Sequence, residues 1–130
     1  MRPNTAAALA FIVTAALGTA AQAQPVGTNI GYPTPEAAIQ ALHARPDVIF
    51  TVQNGWVIAK DRANVTNWAF PPTNDPAFPA AVKRQVVQTD TGSISIATNI
   101  LCGGTQVACD QLASAFHTLN QQAAAQARNQ

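Results

Sequence analysis

Val48-Ile49-Phe50-Thr51-Val52-Gln53-Asn54-Gly55-Trp56-Val57-Ile58-Ala59-Lys60 is two runs of β-formers joined by an Asn-Gly pair. Asn-Gly tolerates the left-handed backbone of a two-residue type I′ turn, so the segment reads as a tight antiparallel hairpin. A two-residue loop fixes the register, with Gln53 opposite Trp56, Val52 opposite Val57 and Phe50 opposite Ala59. Side chains alternate across a strand, which puts Phe50, Val52, Val57 and Ala59 on one face, the expected core face. Ile49, Thr51, Gln53, Trp56, Ile58 and Lys60 form the other, a mixed surface with a large aromatic on it.

The flanking sequence supplies the remaining elements. Thr34-Pro35-Glu36 is a helix start, with a hydroxyl N-cap, proline at the first helical position and an acid at the positive end of the dipole. Ile39 and Leu42 make its apolar stripe, and Pro46 ends it at Arg45. Asp61–Asn64 reads as a turn and Val65–Phe70 as a third strand. Pro71–Pro79 carries too many prolines for a ladder strand or a helix and reads as a loop. Val82–Thr89 and Ser93–Asn99 form a second hairpin about Asp90-Thr91-Gly92. A last helix starts near Thr105, with Leu112, Phe116 and Leu119 on one face. The expected fold class is α+β, a two-layer sandwich: an antiparallel meander of about five short strands with an N-terminal and a C-terminal helix on one face.

The N-terminus reads as an export signal. Arg2 precedes an apolar run from Ala6 to Leu17, and Ala21-Gln22-Ala23 offers the small-x-small cleavage pattern. The run is too short for a comfortable transmembrane helix, so no stable membrane anchor is expected after cleavage. Residues 1–23 are then signal peptide, 24–33 an extended lead-in, 34–120 a single domain and 121–130 a disordered polar tail. The 130-residue chain less this 23-residue signal leaves 107, one domain's worth. Seven Lys+Arg and six Asp+Glu become six against six when Arg2 leaves. A balanced charge gives no case for nucleic acid, whose binding needs clustered cations.

The two cysteines, Cys102 and Cys109, are expected to pair in an oxidising, periplasmic or extracellular compartment. A redox pair would sit as C-x-x-C at a helix start, and a zinc site would need more ligands than His43 and His117 supply. No metal and no cofactor is expected.

Catalytic sets are equally thin. His43 and His117 fall among polar residues on their helices, and Glu36 is the only glutamate. Asp61, Asp75 and Asp90 sit in expected turns, where Asp is favoured for local hydrogen bonding alone. Cys102-Gly103-Gly104-Thr105 lacks the lysine and spacing of a phosphate loop, so its glycines serve the turn of the disulfide loop. Asn64-Val65-Thr66 matches a glycosylation acceptor. The aromatic residues form the more informative group. Trp56, Trp68, Phe70 and Phe78, with Lys83 and Arg84 after the proline loop, would make a surface for a peptide, a glycan or an anionic small molecule. The competing reading is that Trp68 and Phe70 are core.

Several stretches carry a resemblance: Val52-Gln53-Asn54-Gly55-Trp56, Asn67-Trp68-Ala69-Phe70-Pro71-Pro72, Pro76-Ala77-Phe78-Pro79-Ala80-Ala81-Val82-Lys83-Arg84, and Cys102 with Ala108-Cys109-Asp110. From about Tyr32 to Asn120 the chain resembles a group of small exported proteobacterial proteins, some of which carry a J-domain chaperone label. A J domain is helical and needs His-Pro-Asp between two helices. Here the nearest match is His43-Ala44-Arg45-Pro46-Asp47, with two residues intervening and strands following. The resemblance implies export, one domain and the disulfide, and it brings no catalytic residues.

The leading expectation is a non-enzymatic module that binds a partner protein, an envelope polymer or a small ligand. Two others are a chaperone-like envelope accessory and a small enzyme pairing Lys83 or Arg84 with Asp75 or Asp90. A homodimer burying the mixed sheet face would cover its exposed Trp and Ile.

Overall fold

A computed structural model describes residues 26–128, so the expected signal peptide lies outside the described residues. The chain runs α1 (Pro35–His43), β1 (Val48–Gln53), β2 (Trp56–Asp61), β3 (Thr66–Phe70), β4 (Ala80–Gln88), β5 (Ile94–Cys102) and α2 (Gln106–Arg128). The strands form one antiparallel sheet in the order β1-β2-β3-β4-β5. Asn54 and Gly55 take φ of 51° and 82°, as a type I′ turn requires. The register is the expected one, Gln53 with Trp56, Val52 with Val57 and Phe50 with Ala59. Thr34 caps α1, its hydroxyl accepting from the Ala37 amide at 3.0 Å, and Thr105 does the same for the Ala108 amide at the start of α2.

The α+β class and the meander are as expected, but the helices pack on opposite faces of the sheet. α1 sets Ala38 and Leu42 against Val48, Ala59, Trp68, Phe70 and Ala81. α2 sets Ala108 and Leu112 against Ala69, Val82 and Ile100 from the alternate positions of the same strands. The physical reason is in β3 and β4, where Trp68-Ala69-Phe70 and Ala80-Ala81-Val82 are buried without a break. A strand apolar at consecutive positions must be covered on both sides. Trp56 and Ile58, assigned to an uncapped mixed face, are half-buried against the α2 layer. Val52, expected in the core, is 70% exposed, since it sits at the hairpin tip beyond α1.

On α2 the inward row is Ala108, Leu112, Phe116 and Asn120, at steps of four, and Leu119 faces out at 46% exposure. The helix continues to Arg128 instead of ending at Asn120. Ala, Gln and Arg are good helix formers, which explains the extension.

The lead-in crosses one sheet edge. The Gly27 amide donates to the Thr98 carbonyl at 2.9 Å and the Ile100 amide to the Gly27 carbonyl at 2.8 Å. Val26 lies against the α2 layer, while Ile30, 1% exposed, enters the α1 layer.

Cys102 and Cys109 form a disulfide, Cα to Cα 5.8 Å, that ties the end of β5 to the first turns of α2. The proline loop packs on this junction. The Gly103 amide donates to the Pro79 carbonyl at 2.6 Å, and a Cβ on Gly104 would overlap the Pro76 carbonyl and the Ala77 backbone. Gly104→Ala is therefore expected to lower stability by about 2 kcal/mol. Replacing both cysteines by serine should remove about 2.5 kcal/mol of loop-closure stabilisation. Urea unfolding measures both, and wild-type midpoints would refute the packing and the cross-link respectively.

Candidate functional site

The sheet divides the residues expected to form one aromatic surface. Trp68 and Phe70 are 3% and 6% exposed and stack with ring centroids 6.1 Å apart, so the core reading holds for both. Lys83 lies opposite Trp68 on β4 and holds its Nζ 5.6 Å from the indole centroid. Trp56 and Arg84 lie across the sheet, both against Phe116 of α2. Phe78, 40% exposed, belongs to the proline loop.

Arg84 is engaged within the fold. Its Nε and Nη2 donate to Asn120 Oδ1 at 3.0 and 2.9 Å, and Asn120 Nδ2 donates to Thr98 Oγ1 at 2.7 Å. Burial pushes the Arg84 pKa down. The Asp75 carboxylate accepts from the Ala77 amide in its own loop. Among the described residues no ion pair joins Lys83 to Asp75 or Asp90, which the pairing expected of an enzyme required. The described residues contain no cluster of three His, Cys, Asp or Glu side chains able to hold a metal.

What the structure does assemble is a polar cleft of about 370 Å³ at the end of α1. Its floor is the sheet, with Asp61, Thr66, Trp68, Lys83 and Gln85. Leu42 and Arg45 close it from the α1 side, Ile30 to Tyr32 from the lead-in, and Asn64 from the β2–β3 turn. The register explains the floor. Asp61 pairs with Thr66 and Thr66 with Gln85, so three polar side chains form one row across the face that elsewhere carries core residues.

Asp61 is the anchor of this site. It is 4% exposed, and Arg45 donates to both its oxygens, from Nη1 to Oδ2 at 2.7 Å and from Nη2 to Oδ1 at 2.9 Å. Asn64 Nδ2 donates to Oδ2 at 2.8 Å. Hydrogen bonding from Arg45 holds the Asp61 pKa below the usual carboxylate range, with Asn64 adding to the effect against the cost of burial. Arg45 also reaches Asp47 at 2.8 Å, and its own pKa is raised, chiefly by the bond to Asp61. The Asn64 side chain is committed here, inside the glycosylation acceptor pattern.

The turn that brings Asn64 inward carries a strained residue. Val65 takes φ of 49°, a left-handed conformation that a β-branched side chain adopts only under constraint. Its carbonyl accepts from the Val86 amide at 3.1 Å, which fixes it to β4.

Trp68, which lines the cleft floor, carries an unmatched donor. Trp68 Nε1–H is buried with no hydrogen-bond partner among the described residues. Tyr32, Arg45, Asp61, Asn64, Thr66 and Gln85 were not expected in a site. The hairpin register could have found Asp61, since it continues the Val57-Ala59 alternation onto the core face.

No protein-family model, no curated protein and no solved structure matches this chain. No helix among the described residues is long and apolar enough to cross a membrane.

Because the folded pKa of Asp61 lies below its unfolded value, its contribution is complete above the unfolded value. It is lost as pH falls through the folded one. Urea midpoints should therefore fall as pH drops below about 4, and fall less in Asp61→Asn. Identical acid slopes in the two proteins would refute the assignment. Arg45→Met, which removes both Arg45 bonds to Asp61, should lower the urea midpoint at neutral pH, and an unchanged midpoint would refute the pair's contribution. Val65→Asn should raise stability by about 0.5–1 kcal/mol, because Asn tolerates the left-handed backbone; a lower midpoint would argue against strain there.

Proposed function

We propose that this chain is an exported, non-enzymatic ligand-binding module whose ligand enters the cleft at the end of α1. The observation that carries the reading is the cleft itself, at the size of a small-molecule site, where polar side chains converge on a sheet face otherwise used for core packing. Binding groups are held rigidly there: Asp61 fixes Arg45 and Asn64, and Lys83 and Gln85 project from the middle of a nine-residue strand. Such preorganisation lowers the ordering cost of binding.

Export is supported by the Arg2, Ala6–Leu17 and Ala21-Gln22-Ala23 pattern and by the paired cysteines. The resemblance to small exported proteobacterial proteins points the same way. In this reading Trp68 and Lys83 meet the ligand as part of the cleft, Trp56, Arg84 and Phe78 lie outside its lining, and a small polar molecule of the envelope fits it better than a peptide.

Heteronuclear NMR of the purified protein with pools of water-soluble metabolites tests this. At least one pool should shift the Gly31, Asn64, Lys83 and Gln85 amides together and saturably, and the shifts should vanish in Gln85→Trp, which fills the cleft. Pools that move no cleft amide, or a response that survives in Gln85→Trp, would overturn the assignment.

A further inference from the structure

We infer that the ligand is a small hydroxylated monocarboxylate of the sugar-acid type, and this rests on the cleft being a binding site. Three ionised groups line the cleft: Arg45, Asp61 and Lys83. Arg45 holds Asp61 through a two-pronged ion pair and also reaches Asp47 outside the cleft lining, and the second Asp61 oxygen accepts from Asn64. Lys83 is the cation of the lining that, among the described residues, no carboxylate pairs with. Its Nζ lies 5.6 Å from the Trp68 ring centroid, which places the ammonium over the cleft floor. One cation without a carboxylate partner suits one carboxylate on the ligand.

A bare anion would satisfy Lys83 and leave the other groups unmet. One N–H of the Asn64 amide goes to Asp61, which leaves Oδ1 and a second N–H. One N–H of Gln85 Nε2 faces the Asn64 carbonyl, 3.4 Å away, which leaves Oε1 and a second N–H. Groups that both accept and donate are met by hydroxyl groups, which do the same. Tyr32 adds a phenol that can donate or accept. A cation with neutral groups that both donate and accept, in a polar cleft of about 370 Å³, suits a polyol with one carboxylate better than a fatty acid.

The probes are D-glucuronate, D-glucose and sulfate, titrated into the purified protein at matched ionic strength and neutral pH, and read from the same cleft amides. Glucuronate should bind saturably, with glucose and sulfate each weaker by about tenfold or more, the worth of one charge-assisted contact. Lys83→Gln should weaken glucuronate about tenfold and glucose by much less. Lys60→Gln, on the far face of the sheet, should change neither, and an unaltered spectrum away from the cleft shows that each variant is folded. Glucose binding as well as glucuronate, or Lys83→Gln without effect, overturns the carboxylate. Sulfate matching glucuronate overturns the hydroxylated ligand in favour of a bare anion site. Glucuronate inert where a metabolite pool still moves the cleft overturns the ligand class alone. Glucuronate and every pool inert overturns the cleft reading with it.

Discussion

Everything in this fold hangs on the pleat of one sheet whose register is set at Asn54-Gly55. Because successive side chains point to opposite faces, that turn decides which residues meet α1 and which meet α2. A slip of one residue would send Ala59 and Asp61 to the α2 side and leave Arg45 with Asp47 alone. The cleft is therefore a consequence of strand pairing before it is a feature of any loop. Its polar row, Asp61, Thr66 and Gln85, exists because three strands keep one register across the core face.

Much of the architecture could be read before any coordinates. Turn chemistry gave the hairpins, Thr34 and Thr105 gave the helix starts, and the prolines between Pro71 and Pro79 gave the loop. What escaped was the second core. Local periodicity reports that a strand has an apolar face, but Ala69, Ala80 and Ala81 are small enough to pass as filler. Only when they are seen buried on alternating sides does the two-sided sheet emerge. The site escaped for a related reason. Asp61 reads as a turn residue because Asp favours turns, whereas its role follows from the arginine 16 residues earlier, which folding brings to it. Asn120 was hidden in the same way: its partners, Arg84 and Thr98, are 36 and 22 residues distant.

Polar burial is handled differently on the two sides of the sheet. On the α2 side, Asn120 links Arg84 to Thr98, so a helix is located by hydrogen bonds as well as by packing. On the α1 side the Asp61 network is complete, while Trp68 keeps an unmatched N–H beneath it. An unpaired buried donor costs about 1–3 kcal/mol. The rest of the indole offsets that cost by packing against Tyr32 and Phe70.

The short pairing of Gly27 with Thr98 and Ile100 also governs how molecules can join one another. A flat sheet with two bare margins can be extended without limit, copy upon copy, into a fibre. Here the lead-in occupies part of one margin, and adding a strand to β5 means first evicting it. Among the described residues the margin at β1 carries no partner strand, and Ile49 and Val52 beside it are exposed. Two molecules meeting β1 to β1 would cover those two margins with each other.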